Sequence, residues 1–297
     1  MTKENVFRSG FVTIVGRPNV GKSTLMNALL GEKIAIVSDK PQTTRTKVMG
    51  IYNQPDAQVV FMDTPGIHRP RARLNEFMVK TAKDACEGVD LLIFMVEANN
   101  PGAPDDKEIA DFISGLDTKA FLVINKMDLV KKESLLPIIE RYSATGRFAE
   151  IIPVSSLQKS NLDDLVETIV GHLPEGPKYF PDDELTDQPE RSIAAEIIRE
   201  KIFRMTKHEI PYSTAVVVDE MKDKGEIVYT RATIFVEKDS QKGIIIGEKG
   251  KMLKAIGQHA REDIERLLGV KVFLELWVKV KKDWREKPGA LEEFGYK

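Results

Sequence analysis

Phe11-Val12-Thr13-Ile14-Val15 runs directly into Gly16-Arg17-Pro18-Asn19-Val20-Gly21-Lys22-Ser23, and Thr24-Leu25-Met26-Asn27-Ala28-Leu29-Leu30 follows before Gly31. The apolar run is short enough for a buried strand, and residues 23–30 carry a helical spacing that Gly31 stops. A strand, a glycine-bounded loop and a helix in that order make a phosphate cradle. Backbone N–H groups of the loop point at phosphate oxygens, Lys22 reaches the β/γ oxygens, and the Ser23 hydroxyl is offered to Mg²⁺. The pattern G-x-x-x-x-G-K-S is weak without that setting and strong within it. Gly16, Pro18, Asn19, Val20, Gly21, Lys22, Ser23 and Thr24 are its candidate nucleotide-binding residues.

Downstream, residues 48–52 and 58–62 alternate in polarity around Asn53-Gln54-Pro55-Asp56, which predicts a hairpin adding one antiparallel edge to the sheet. Further short apolar strands are expected at 91–96, 120–124 and 151–154, each preceded by a segment of helical composition. Strands alternating with helices predict a doubly wound α/β sheet with its ligand loops at the carboxyl ends of the strands.

Three of those strand ends carry chemistry. Asp63-Thr64-Pro65-Gly66 closes the third strand, where Asp63 reaches Mg²⁺ through water and Gly66 presents its N–H to a γ-phosphate. Asn125-Lys126-Met127-Asp128 names the base: the Asp128 carboxylate accepts both Watson–Crick-edge donors of guanine, whereas adenine would leave it unpaired, at a cost of several kcal/mol. GTP therefore outranks ATP. Val154-Ser155-Ser156-Leu157 follows the last strand, and its backbone N–H is expected behind the guanine O6. Pro41-Gln42-Thr43-Thr44-Arg45 lies where a switch loop supplies a threonine to Mg²⁺ and the γ-phosphate, and by spacing either threonine serves.

Residues 174–189 hold four prolines and a cluster of acids, and are expected to form a linker. Beyond it Ile193, Ala194, Ile197, Ile198, Ile202 and Met205 form a helical stripe, and strands at 214–218 and 227–236 flank an Asp223-Lys224-Gly225 turn. After the apolar run Ile244-Ile245-Ile246 comes Gly247-Glu248-Lys249-Gly250, then a helix to about Gly257, a second from Arg261 to Leu268, and a strand at 272–280. A G-x-x-G is common by chance. Between helices and after a hairpin it matches a KH module, in which the absence of Cβ atoms at Gly247 and Gly250 lets a nucleic-acid backbone approach main-chain N–H groups. Lys249, Lys251 and Lys254 surround the turn with positive charge. Glu248 puts a negative charge inside it.

The composition agrees. The 297 residues are enough for two domains, and 42% apolar content supplies a core for each. The lone Cys86 excludes a disulfide framework or zinc cluster and fits a reducing, cytoplasmic setting. The polar start, residues 1–9, has no leader-like composition, and no window nears the roughly 18 apolar residues that span a bilayer. Residues 241–285 carry 11 Lys/Arg against 6 Asp/Glu while the rest carries 33 against 40, an asymmetry that suits a polyanion-binding C-terminal domain.

These motifs resemble the Era family of GTPases, from about Phe7 to the end of the chain. Shared are the G-R-P-N-V-G-K-S loop, Q-T-T-R at 42–45, D-T-P-G at 63–66, N-K-M-D at 125–128, E-I-I-R-E-K-I at 196–202 and I-I-I-G-E-K-G-K-M-L-K at 244–254. Val278, Lys279, Val280, Trp284, Gly295 and Tyr296 also fit. The resemblance implies a GTPase domain over residues 1–173, a type II-like α+β KH domain over 190–297, and GTP/GDP with Mg²⁺ as ligands. It implies catalytic roles for Lys22, Thr44 and Gly66, and Mg²⁺ held by Ser23, Thr44 and Asp63. Asn19 would coordinate a K⁺, since Ile67 stands where many GTPases have a water-orienting Gln. RNA contacts would come from Gly247, Glu248, Lys249, Gly250, Lys251 and Lys254. The implied partner is small-subunit ribosomal RNA near the 3′ end of 16S rRNA during 30S assembly. The protein would be a cytoplasmic monomer with some peripheral membrane contact and no DNA. GTP state would set switch loops at 38–47 and 64–75. The rival readings are a GTP-regulated membrane-surface protein whose basic domain binds anionic lipid, and an ATPase with a DNA-binding domain, which Asp128 disfavours.

Overall fold

A computed structural model of the chain describes residues 6–70 and 72–296; the first five residues of the polar start lie outside it. The described residues form two compact units. The first comprises residues 6–35, 44–70 and 78–187, and the second residues 36–43, 72–77 and 188–296.

The first unit is built on a six-stranded sheet, β1 Arg8–Val15, β2 Val48–Gln54, β3 Ala57–Asp63, β4 Leu91–Glu97, β5 Ala120–Asn125 and β6 Glu150–Pro153. Their order is β2-β3-β1-β4-β5-β6, with β2 antiparallel at one edge and all other pairs parallel. Successive residues of the central strands enter opposite cores. Leu91, Ile93 and Met95 of β4 join Leu25 and Met26 of α1 (Lys22–Leu30) and Leu165 and Ile169 of α5 (Leu162–His172). Leu92, Phe94 and Val96 join Ala82 of α2 (Arg73–Asp84), Ile109 and Ile113 of α3 (Pro104–Ser114) and Ile138 of α4 (Leu135–Ser143). Burial on both faces is why these strands read as unbroken apolar runs. Cys86 is one of the buried side chains, and burial pushes its thiol up to about 12, so it behaves as a small hydrophobe. Strand order reverses at β1, so the crevice for a ligand opens at its carboxyl end, where Gly16 begins the phosphate loop.

Two expectations change here. Strands β2 and β3 approach to a two-residue Pro55-Asp56 turn, because Asn53 and Gln54 pair with Gln58 and Ala57 across the ladder instead of joining the turn. The stretch expected to be a linker is packed against the first unit as far as Asp187. The buried Gln58 amide accepts from the N–H groups of Tyr179 (2.8 Å) and Phe180 (3.0 Å) and donates to the Phe180 carbonyl (2.9 Å). Ile51 N–H donates to Leu185 and the Thr186 hydroxyl to Met49, so residues 180–186 cover the exposed edge of β2.

In the second unit, α6 (Glu190–Met205), β7 (Ala215–Asp223), β8 (Ile227–Val236), α7 (Asp239–Ile246), α8 (Lys251–Leu268) and β9 (Lys271–Val280) follow one another, with α9 (Pro288–Glu293) after them. The sheet is ordered β7-β8-β9, the first pair antiparallel and the second parallel. The expected break near Gly257 is absent: α8 runs unbroken for 18 residues because Ile256, Ala260 and Ile264 keep one buried stripe. The run Ile244-Ile245-Ile246 is the last turn of α7. Trp284 is buried, donates from Nε1 to the Ser213 carbonyl (2.9 Å) and stacks with Tyr296 at 6.0 Å, which ties the end of the chain to this core.

Candidate functional site

The phosphate loop joins β1 to α1, and its conformation needs its glycines. Gly21 has φ 102°, and a Cβ there would sit 2.3 Å from Asn125 Nδ2. Lys22 is buried and donates to the carbonyls of Gly16 and Arg17, both at 3.1 Å. Burial pushes its pKa down to about 8, with the Asp63 carboxylate opposing. An ammonium buried at that cost is stabilised by any anion brought against it.

Three oxygen-bearing side chains converge beside it. Ser23 Oγ lies 2.9 Å from Thr44 Oγ1 and donates to Asp63 Oδ2 at 2.5 Å, while Thr44 Oγ1 is 3.3 Å from the same carboxylate oxygen. Thr43 turns elsewhere and donates to the Lys40 carbonyl at 2.7 Å, so geometry selects Thr44 where spacing left both open. Asp63 Oδ1 is buried without a hydrogen-bond donor, and burial raises the carboxyl above its ordinary range. Two hydroxyls and a carboxylate with an unsatisfied oxygen fit a hard divalent cation such as Mg²⁺. When bound, that ion would neutralise charge on the β- and γ-phosphate oxygens.

Gly66 approaches the phosphate loop so closely that a Cβ would lie 2.6 Å from Pro18 N, which is why the position admits no side chain. The next residue, Ile67, is buried among core side chains and donates its N–H to the Gly16 carbonyl at 3.2 Å. It orients no water. Val20 is buried, Thr24 and Pro18 are half-buried, and Asn19 is exposed with φ 65°.

The Asn125–Asp128 strip, expected to read the base, lies at the end of β5. Asn125 is braced on both sides, donating from Nδ2 to the Val20 carbonyl (2.7 Å) and accepting at Oδ1 from Ser156 N–H (3.0 Å) and Oγ (2.9 Å). It therefore staples the phosphate loop to the last loop. Lys126 donates to the Asn19 carbonyl at 2.8 Å, and Asp128 Oδ1 accepts from the Ser155 hydroxyl. Asp128 and Ser155 line a cleft of about 340 Å³ with Met127, Val130, Lys132, Leu135 and Gln158. Leu157, carried as a guanine-loop residue, is 80% exposed and outside the lining.

Sequence reasoning missed Glu97 and Asp106. Glu97 ends β4 opposite Asn125 in register and pairs with both Arg17 and Lys126; Asp106, near the start of α3, pairs with Arg17. A carboxylate closing an apolar strand, level with the base-reading motif, was the available signal.

The second unit holds the other expected site. Gly247 (φ 70°), Lys249 (φ 51°) and Gly250 (φ 78°) make a tight left-handed turn between α7 and α8. A Cβ at Gly247 would meet Met252 Cβ at 2.7 Å, whereas nothing lies within 4 Å of one at Gly250. Gly250, Leu253, Lys254, Gly257, Gln258 and Arg261 line one wall of a groove of about 500 Å³, and Val272, Phe273, Leu274 and Leu276 contribute the other. Glu248, Lys249, Lys251 and Lys254 are exposed around it.

With the residues expected to hold phosphate, base and metal all falling at the carboxyl ends of parallel strands, the first unit has the fold of a P-loop GTPase G domain, and the α-β-β-α-α-β second unit that of a KH domain. The family model described as 50S ribosome-binding GTPase matches residues 11–126, and that of the KH domain residues 209–285. The chain is 58% identical over 295 residues to GTPase Era of Geobacter metallireducens, covering 99% of both chains. It is 51% identical to that of Staphylococcus haemolyticus over 97% of each. Among solved structures, it superposes with TM-score 0.95 and 44% identity, over 98% of this chain and 99% of the other, on Era in complex with MgGDPNP and nucleotides 1506–1542 of 16S ribosomal RNA. Aquifex aeolicus Era bound to GDP and AlF4− gives the same TM-score, identity and coverage. The chain belongs to the Era family and is a GTPase.

Proposed function

We propose that this GTPase binds the 3′ region of small-subunit ribosomal RNA through its KH groove and acts in assembly of the 30S subunit. The observation that carries the reading is the groove itself, glycine-walled at one end, apolar along β9 and edged by Lys254 and Arg261. It suits a single strand whose bases lie on the apolar wall and whose phosphates meet the cations. The family's Era–16S rRNA complex supplies the RNA. In the G domain, Asp128 reads guanine and Gly66 N–H meets the γ-phosphate. Ser23, Thr44 and Asp63 hold Mg²⁺, and Lys22 stabilises charge on the transferring group as water attacks in line.

Filter binding of a 16S 3′-end oligoribonucleotide tests this. Gly250→Asp is expected to abolish binding while GTP hydrolysis persists, and equal affinity for a scrambled oligonucleotide would overturn the RNA assignment. Flotation with anionic vesicles addresses the lipid alternative, because membrane contact rests on the resemblance alone. The missing Gln at Ile67 favours a K⁺ on Asn19 as a source of charge. Hydrolysis in K⁺ is then faster than in Na⁺ at matched ionic strength, and the difference vanishes in Asn19→Ala; equal wild-type rates would dismiss the ion.

A further inference from the structure

A nucleotide on this domain spans two loops, phosphates on residues 16–24 and base on residues 125–128, so its affinity depends on the distance between them being set before it arrives. We propose that Glu97 sets it together with the direct Asn125–Val20 and Lys126–Asn19 contacts, as a positioning carboxylate that locks the cations of the phosphate loop and the guanine loop to one another.

Its two oxygens are divided between the loops. Oε2 accepts from Arg17 at 2.9 Å, and Oε1 accepts from the Lys126 ammonium. Arg17 is fixed from its other side as well, donating through Nε to Asp106 Oδ1 (2.9 Å) and through Nη2 to the Asn100 carbonyl (3.0 Å). Asp106 is held in turn by the N–H of Ala103 at 3.1 Å. Arg17 and Glu97 side chains are only 13% and 12% exposed, and Asp106 2%. Two cations and two carboxylates thus form a neutral chain from α3 through the phosphate loop to residues 125–128, shielded except at Lys126, which is 30% exposed. Glu97 takes one cation from each loop, and Lys126 also crosses, donating to the Asn19 carbonyl at 2.8 Å. The guanidinium partner of Glu97 is thereby spent on the scaffold, so Arg17 is not a source of charge for the phosphates.

Pre-set geometry shows in binding through slower release. Removing the charge of Glu97 leaves the shielded Arg17 and the partly exposed Lys126 facing one carboxylate, and truncations of that kind act chiefly on dissociation. The inference rests on guanine lying at Asp128, and the two can fail separately.

The test is stopped-flow release of a fluorescent GDP from the full-length protein. Glu97→Gln is expected to speed release by about tenfold or more, and Asp106→Asn, which loosens only the outer arm, by less. The loss should fall on KM for GTP more than on kcat. A double-mutant cycle between Arg17→Met and Lys126→Met should be non-additive in release rate in the native background and additive in the Glu97→Gln background. Release by Glu97→Gln within about twofold of wild type, or an additive cycle in the native background, overturns the proposal; should Glu97→Gln fail to fold, the native-background cycle decides. Competition by xanthosine against guanosine triphosphate in Asp128→Asn reports on the base reading by itself. A guanine preference that survives there removes the site reading, whereas a switch to xanthine with an unaffected Glu97→Gln removes only the lock.

Discussion

Lys22 shows what a single side chain contributes. Its folded pKa of about 8 lies below its ordinary 10.5, so between those values the unfolded chain binds the extra proton and stability rises with pH. Holding the amine charged in the nucleotide-free protein therefore costs about 3 kcal/mol below that window, and a bound phosphate removes the cost by drawing the pKa up again. GDP binding should then take up almost no proton at Lys22 at about pH 7, and roughly three quarters of one at about pH 8.5. Calorimetry in two buffers of different ionisation enthalpy measures this. Identical apparent enthalpies in both buffers at the higher pH would refute it. At Thr43 and Thr44 the residue scale also shows a limit of sequence reading. Adjacent side chains of one type are equivalent in spacing, and only the path of the backbone sends one hydroxyl to Ser23 and the other to the Lys40 carbonyl.

Helix α6 is the element that departs furthest from its pattern. Its apolar stripe of Ile193, Ala194, Ile197, Ile198 and Ile202 is buried as spacing predicts, but so are Arg199, Glu200 and Lys201. Lys201 lies against Glu200 (3.3 Å) and Asp263 of α8, and Arg204 reaches Glu200 at 3.0 Å. Arg199 pairs with Glu196 and donates to the Thr43 carbonyl, within the same unit. Removing Lys201 leaves Glu200 with Arg204 and Asp263 with Arg266, so Lys201→Ala is expected to lower stability by about 1.5–3 kcal/mol, the loss of charge-assisted hydrogen bonds. The urea midpoint would fall while the slope stays unchanged; an unchanged midpoint would show that the ammonium contributes nothing net. Helix α8 illustrates the opposite outcome. Gly257 reads as a breaker, yet its position between buried Ile256 and Ala260 leaves the helix intact, because tertiary burial outweighs the roughly 1 kcal/mol propensity deficit of one glycine.

For the molecule as a whole, the excess of Lys/Arg over Asp/Glu within residues 241–285 coincides with the segment that builds the groove. If RNA binds there through about 3 to 5 phosphates, log affinity falls against log salt with a slope of roughly −2 to −3.5. Titrations across a salt series measure that slope, and an affinity indifferent to salt would contradict a phosphate-contacting groove. Both units contain a core of their own, which is why composition and length alone already favoured two domains.

The order of strands, the phosphate loop, the base-reading motif and the G-x-x-G were legible in the sequence, because each depends on local spacing: a period of two or 3.6 residues, a glycine where φ is positive, a carboxylate three residues after an asparagine. The tertiary structure alone decided what those pieces face. It laid the proline-rich stretch against β3 through Gln58 and along the β2 edge through Ile51, buried charged residues of α6 against one another, turned Asn125 into a brace, and brought Glu97 and Asp106 to Arg17 across 80 and 89 positions of chain. Such pairings leave no local signature, since a carboxylate's partner is fixed by which strands the sheet places side by side, and that order follows from the burial of both faces and from no single segment.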